Sequence, residues 1–301
     1  MGLLTVIIPS GGPDECFFRK TIEDVLEKGV NVEVYAMTDG WVEPSDNRVK
    51  DDRVTYVALP ESPHNHKREA VNLAISQCSG QYVMSLDCHC LVSDSFDRVL
   101  VRDHHDNWIQ VPQRRRLDPF NWCEQEQFGK PHIGAEYWMW RDLIKSDLPG
   151  LHGYRWDALT LAMEAEGTLL FPTPTMQASC WFATKAWIAD NDLFTSEGYT
   201  GWGAEAEALA LGTAWIGGQL MSNSDGVFYA HWHKGSNGRR YKLNRGETHQ
   251  SYRFAHNLWV KERHEFFISY LNRFPRMPNF PDNWAEIIRE KAAAAPRLEG
   301  E

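Results

Sequence analysis

The stretch Tyr82-Val83-Met84-Ser85-Leu86-Asp87-Cys88-His89-Cys90 decides the fold, because an apolar run ends there at a carboxylate and an imidazole. The run over residues 82–86 predicts a buried strand. Residues two apart on a strand point the same way, so we expect Asp87 and His89 to project together beyond its carboxyl end. Open α/β sheets bind ligands there. The pair suits Mn²⁺ better than Mg²⁺, which prefers oxygen ligands throughout, and predicts a metal site that holds a diphosphate.

Strands and helices alternate through the first ninety residues. Apolar runs and helix stop signals predict strands over residues 3–8, 32–37, 53–59 and 82–86, and helices over residues 13–28 and 67–78. This order predicts a parallel sheet with helices on both faces and right-handed crossovers. The ligand crevice is then expected at the strand ends that carry Pro9, Asp39 and Asp87.

The alternation breaks down after residue 90. Residues 112–141 combine Arg114-Arg115-Arg116 with many aromatic side chains, which predicts an irregular region covering the site rather than another unit of the sheet. Strands near 179–183 and 226–232 flank a helix that begins after Gly203. A polar segment after Lys234 predicts a mobile loop. Helices are expected from about residue 248, separated at three prolines, Pro275, Pro278 and Pro281.

Composition excludes several classes of protein. The chain has 301 residues, 43% hydrophobic and 24% charged, which is typical of a soluble globular protein with a sizeable core. No apolar stretch approaches the roughly 20 residues of a membrane helix, so we expect a cytoplasmic protein without membrane insertion. Its six cysteines show no paired framework and are expected to be reduced. The net charge of −10 gives no global attraction to nucleic acid or acidic membranes.

Four blocks of the sequence resemble the polypeptide N-acetylgalactosaminyltransferases and their bacterial and viral relatives, in the same order. The resemblance covers residues 1 to about 240 and implies the GT-A glycosyltransferase fold: an α/β domain over 1–245, with a mostly parallel sheet and flanking helices, and a helical extension over 246–301. The blocks are Lys67-Arg68-Glu69-Ala70 with Leu86-Asp87-Cys88-His89-Cys90, Thr173-Pro174-Thr175-Met176, Gly201-Trp202-Gly203-Ala204-Glu205 and Tyr229-Ala230-His231.

The chain departs from this family behind the second block. Where the family has two glycines, this chain has Gln177, Ala178, Ser179 and Cys180, so the wall that contacts the sugar is expected to be reshaped. We expect neither the family's membrane anchor nor its lectin domain. A secretory-pathway acceptor is therefore not implied.

The resemblance implies a set of metal ligands. Asp87, His89 and His231 would hold Mn²⁺ or another divalent cation, with His233 as the alternative to His231 because it faces the same side of a strand. Asp87 and His89 could otherwise be a polar pair that hydrogen-bonds a turn. Cys88 and Cys90 are expected to point away from the ion, as small buried hydrophobic residues.

Further residues are candidates for binding the nucleotide sugar: Pro9, Ser10, Asp39, Arg68, Asp87, Trp202, Gly203, Lys234 and Arg239. Pro9 and Ser10 shape the first loop, and Asp39 follows a strand, although an Asp-Gly turn would also place an aspartate there. Arg68 could pair with the nucleotide or with its own helix. The basic segment that holds Lys234 and Arg239 could close over the diphosphate, or could be a solvated loop.

Glu205 is the candidate catalytic residue, because it begins a helix after a glycine-rich turn. Glu207 lies about 200° further round that helix, so one of the two is expected to face the substrate. In an inverting enzyme Glu205 would be the general base, and in a retaining enzyme it would position the substrates. A solvated helix glutamate is the alternative.

These features predict a metal-dependent glycosyltransferase that moves a sugar from a nucleotide diphosphate sugar, most simply a UDP-sugar, to an acceptor hydroxyl of a glycan, a protein, a small molecule or a hydroxymethylated base in DNA. The DNA alternative rests on two arginine-rich patches, 114–116 and 234–253. A non-catalytic nucleotide-sugar binder would need no carboxylate at Glu205. A sugar nucleotidyltransferase usually has a glycine-rich phosphate loop, and Gly11-Gly12 is too little for one.

Overall fold

The computed structural model describes residues 2–13, 15–61, 65–126, 129–144, 151–233 and 245–294. It is a mixed α/β structure. The strands are β1 Leu4–Ser10, β2 Val32–Asp39, β3 Val54–Leu59, β4 Tyr82–Leu86, β5 Cys90–Val92, β6 Trp108–Asp118, β7 Cys123–Gln125, β8 Glu136–Trp138, β9 Gly153–Arg155, β10 Leu170–Pro172, β11 Cys180–Thr184 and β12 Gln219–His231. The helices are α1 Phe18–Lys28, α2 Lys67–Gln77, α3 Phe96–Arg102, α4 Trp140–Ile144, α5 Asp157–Ala165, α6 Lys185–Asp190, α7 Glu205–Trp215, α8 Arg245–His256, α9 His264–Leu271 and α10 Trp284–Ala294, with a π-helical turn at Asn257–Glu262 between α8 and α9.

The large sheet has the strand order β10-β12-β6-β11-β4-β1-β2-β3. Strands β1 to β4 are parallel, whereas β11 runs antiparallel between β4 and β6. Alternate residues of β1 pack into different cores, Ile7 on one face and Val6 and Ile8 on the other. Helix α2 covers the first face and α1 the second. The predicted α/β architecture with flanking helices, and with helices at the C-terminus, is confirmed.

The prediction for residues 112–141 was wrong in its first part. Residues 108–118 form β6, an interior strand between β11 and β12. The arginines concealed this strand from sequence analysis, but the fold supplies each partly buried one with a carboxylate: Arg114 lies 2.5 Å from Glu136 and Arg115 lies 2.8 Å from Glu124. Neutralised in this way, arginine side chains are compatible with an interior strand.

The first helix also begins later than predicted, at Phe18 rather than near residue 13. A turn precedes it, in which the Glu15 amide donates to the Gly12 carbonyl. The helix ends before Gly29 as predicted. The extra loop residues carry the Glu15 side chain to the carboxyl end of the sheet.

The helices after residue 245 pack into the same hydrophobic core as the sheet. Trp259 and Phe267 are buried in one cluster with Trp181 of β11 and Leu209 of α7. The division of the chain at residue 245 remains a prediction. In the described ranges, no helix has the length and apolar character needed to cross a bilayer.

Candidate active site

A cleft opens where β1, β2 and β4 end, as the parallel order requires. Six residues predicted from the sequence line it: Pro9, Ser10, Asp39, Asp87, His89 and Trp202. Two residues that the sequence analysis did not assign, Glu15 and Lys67, line it as well. The cleft therefore collects side chains from five separate segments of the chain.

Three candidate metal ligands converge at one side of the cleft. Oδ2 of Asp87 lies 3.5 Å from Nε2 of His231 and 3.8 Å from Nε2 of His89, and the two Nε2 atoms are 3.1 Å apart. His231 arrives there because β12 pairs with β5, which places it opposite Cys90. One carboxylate oxygen and two imidazole nitrogens facing a common point fit a borderline divalent cation such as Mn²⁺.

His231, rather than His233, belongs to this converging group in the described part of the chain. The ring centroid of His233 is 6.2 Å from that of His231. The assignment of either histidine as a ligand remains a prediction.

Asp87 is held as a carboxylate. Burial alone would raise its pKa, but the nearby Lys67 ammonium, a hydrogen bond with His231 and the charges of the two imidazoles together lower the pKa well below the usual aspartate range. An ionised, mostly buried oxygen pair next to two imidazoles is a strong cation ligand.

The second nitrogen of His89 faces a different pair of side chains. Nδ1 lies 3.6 Å from Sγ of Cys88 and 3.8 Å from Oε2 of Glu15, and all three residues are buried. Cys88 is therefore on the side of the ring away from Asp87, while Cys90 packs in the hydrophobic core. An imidazole that ligates a metal is commonly oriented by a carboxylate at its other nitrogen. Glu15 stands where such a carboxylate is needed.

Lys67 joins two carboxylates of the site. Its Nζ donates to Oδ1 of Asp87 at 3.1 Å, to Oε2 of Glu205 at 3.4 Å and to the carbonyl of Ala178 at 3.3 Å. Sequence reasoning missed this role, because Glu205 is 138 positions from Lys67 along the chain. A local sequence pattern cannot predict a contact between residues so far apart in the chain.

Helix α7 begins at Glu205 after a strained turn. Gly203 has φ of +114°, and Ala204 takes a left-handed φ of +57°. Glu205 is buried, and no group in the described ranges donates to its Oε1. Glu207 is also buried, and this burial, helped by the charge of Glu205, raises the pKa of Glu207 to about 8. Burial therefore favours the protonated form of Glu207 at neutral pH.

Arg68 and Asp39 have structural contacts of their own. Arg68 is 1% exposed, stacks 4.2 Å from the ring centre of Tyr199 and donates to the carbonyls of Thr195 and Gly203. It supports the turn before α7 from behind and does not line the cleft. Asp39 lines the cleft and accepts hydrogen bonds from the backbone and ring of His66. Their roles in nucleotide binding remain predictions.

Two predicted residues, Lys234 and Arg239, lie outside the described residues. Of the patch at 114–116, Arg114 and Arg115 are paired with glutamates, and Arg115 also stacks on Phe228. Two of the three arginines are therefore already neutralised within the chain.

Residues 5–151, just under half of the chain, match the model of glycosyl transferase family 2. In this range the chain is similar to glycosyltransferase family 2. This similarity confirms the predicted resemblance to the glycosyltransferases. No curated protein matches the chain in sequence.

Solved structures of glycosyltransferases share the fold of this chain. The crystal structure of GalNAc-T7 with UDP, GalNAc and Mn²⁺ superposes with a TM-score of 0.69 at 14% identity, covering 97% of this chain and 55% of that one. TarS of S. aureus gives a TM-score of 0.52 at 13% identity, covering 92% of this chain and 45% of that one. The chain thus spans about half the length of these two proteins. At this level of sequence identity the likeness shows the fold alone.

The range that matches glycosyltransferase family 2 holds only part of the site. Asp39, Lys67, Asp87 and His89 lie inside the matched range, whereas Glu205 and His231 lie beyond it. The site is therefore completed by the part of the chain that the family model does not match.

Proposed function

We propose that the chain is a metal-dependent glycosyltransferase that moves a sugar from a UDP-sugar to an acceptor hydroxyl. The observation that carries the proposal is the convergence of Asp87, His89 and His231 within 3.8 Å at the mouth of the cleft. The similarity to family 2 supports the reaction class. The presence of UDP and Mn²⁺ in the crystal structure of GalNAc-T7 makes these two ligands the first to test.

In this proposal the predicted residues other than Arg68 divide the tasks of donor binding and catalysis. Pro9, Ser10 and Asp39 bind the nucleoside, and Asp87, His89 and His231 hold the cation at the diphosphate. Trp202 and Gly203 form the wall beside the sugar. Lys234 and Arg239 bind the diphosphate.

Charge on the departing diphosphate is the chemical problem that the site must solve. A bound divalent cation supplies Lewis-acid stabilisation of that charge. Fixed positive groups of the chain, Lys67 foremost, add to it without the reorganisation that water would need. Glu205 orients the acceptor hydroxyl, or takes its proton if the configuration at the sugar is inverted.

The test combines the full chain, Mn²⁺, a panel of UDP-sugars and a panel of acceptors that includes hydroxymethylated duplex DNA. Mass spectrometry reads UDP release and the mass added to each acceptor. We expect turnover that EDTA abolishes and that D87A lowers by at least about a hundredfold. D51N, which removes a carboxylate from the surface, is the matched control and should retain activity.

Turnover that persists at full rate after chelation and in D87A would refute the proposed metal-dependent mechanism. Binding of UDP without turnover on any donor would favour the non-catalytic binder. In that case E205Q would change nothing measurable, whereas in an enzyme it removes turnover and leaves donor binding intact.

A further inference from the structure

We propose that Lys67 is a positioning residue that joins the metal ligand Asp87 to Glu205, and that its positive charge holds the affinity for the cation below the value the ligands alone would give. The inference rests on the proposed function. Its consequence is that loss of Lys67 changes cation affinity and turnover in opposite directions.

The environment of Lys67 is built for an ammonium group. The side chain is 11% exposed, and its Nζ has three oxygen acceptors within 3.4 Å, two of them carboxylate oxygens. These acceptors are the residue that follows β4, the first residue of α7 and a residue of the loop before β11. Lys67 is the first residue of α2, so its backbone is fixed by a helix that packs against β1 and β2.

The carboxylate of Asp87 is divided between two tasks. Oδ1 accepts from Lys67, while Oδ2 faces the two histidines. Lys67 therefore fixes the rotation of the carboxylate and at the same time adds a positive charge beside the cation site. The first effect favours cation binding, and the second opposes it.

The electrostatic effect is the larger of the two. Two contacts of Asp87 do not involve Lys67: its Oδ2 contacts His231, and its amide donates to the Ser179 carbonyl. The orientation of the Asp87 carboxylate therefore does not depend on Lys67 alone, whereas the repulsion between two cations in a mostly buried site is weakly screened. Removing the ammonium is expected to tighten cation binding.

Glu205 responds differently, because Lys67 holds one of its oxygens and no described group donates to the other. Without the ammonium a buried carboxylate loses its hydrogen-bonded cation. Glu205 then turns away, and the acceptor hydroxyl is no longer oriented. Turnover falls even when the cation site is saturated.

The experiment measures Mn²⁺ binding to the purified full chain by calorimetry, and sugar transfer at saturating Mn²⁺. We expect K67M to bind Mn²⁺ about tenfold more tightly than wild type and to turn over at least about tenfold more slowly. K67R, which keeps the charge, should bind Mn²⁺ within about threefold of wild type. K185M is the matched control, since Lys185 also begins a helix and donates to a carbonyl far from the cleft.

The sign of the change separates this role from simple damage, because a damaged site binds Mn²⁺ more weakly. If the wild type binds Mn²⁺ and K67M binds it with equal or lower affinity, the proposed role of Lys67 is wrong and the proposed function still stands. A wild-type chain that does not bind Mn²⁺ overturns both. If K67M fails to fold, as judged by circular dichroism, K67Q supplies the neutral variant and the same criteria apply.

Discussion

At the scale of single residues, the site depends on groups that orient the ligands as well as on the ligands themselves. Glu15 and Cys88 flank Nδ1 of His89, so that Nε2 is the nitrogen directed at Asp87 and His231. Fixing the ring in this way lowers the cost of ordering it when a cation binds.

Replacement of Glu15 by glutamine is therefore expected to weaken Mn²⁺ binding by about 10–100-fold, because the neutral amide holds the His89 ring less firmly. Calorimetry on the full chain checks this. E23Q, on the exposed face of α1, is the control and should bind as wild type does. Equal Mn²⁺ affinities of E15Q and wild type would show that Glu15 does not support the cation site.

Glu207 makes stability depend on pH. Its pKa is about 8 in the folded chain against an ordinary value near 4.5. Between these values the folded chain keeps the proton and the unfolded chain releases it, so the free energy of unfolding falls as pH rises. Urea titrations at pH 5.5 and 7.5 should show wild type losing more stability than E207Q, by about 1.4 kcal/mol for each pH unit. Parallel pH dependence in the two proteins would contradict this.

At the scale of elements, the turn before α7 sets where Glu205 stands. Gly203 has φ of +114°, and a Cβ added to it would lie 3.2 Å from the ring of Tyr252 on α8. The turn is also held from behind by Arg68, which donates to the Gly203 carbonyl. The helix start is thus fixed by backbone conformation and by contacts from two other elements.

The variant G203A should lose about 1–3 kcal/mol of stability and nearly all transfer activity, because the strained turn moves and carries Glu205 with it. Gly217, beyond the other end of α7, also has a positive φ, but a Cβ added to it would lie in open space. G217A should therefore lose stability without losing activity. Equal activity losses in the two variants would show that the turn has no special role.

At the scale of the whole molecule, the cation site joins distant parts of the chain. His89 and His231 are 142 positions apart, and they meet because β12 pairs with both β5 and β6. A cation that binds the folded chain and not the unfolded chain must stabilise this arrangement.

Mn²⁺ at a hundredfold excess over its dissociation constant should raise the free energy of unfolding by about 2.7 kcal/mol. Thermal melts with Mn²⁺ and with EDTA measure the effect. H231A should lose most of the shift, whereas H233A should keep it, because His231 belongs to the converging group. The reverse result would assign the ligand to His233.

Much of the N-terminal half could be predicted from the sequence, because its signals are local. Apolar runs ended by Pro9, Asp39 and Asp87 predicted three strand ends that do line one cleft. Strand β6 was not predicted, because its arginines made the segment too polar for an interior strand. The fold neutralises two of them with Glu136 and Glu124. Arg68 was predicted to pair with the nucleotide or with its own helix. The fold buries it against aromatic rings behind the turn, and its role in nucleotide binding remains a prediction.

The sequence by itself determined the alternation of strands and helices, the carboxyl-end position of Asp87 and the start of α7 near Glu205, because hydrophobic periodicity and turn chemistry act between neighbours in the chain. The tertiary structure decided which distant groups meet. Lys67 reaches Glu205, and His231 reaches His89, through pairings of the sheet and the packing of α7. Contacts over such separations depend on the whole fold, and no short stretch of residues encodes them.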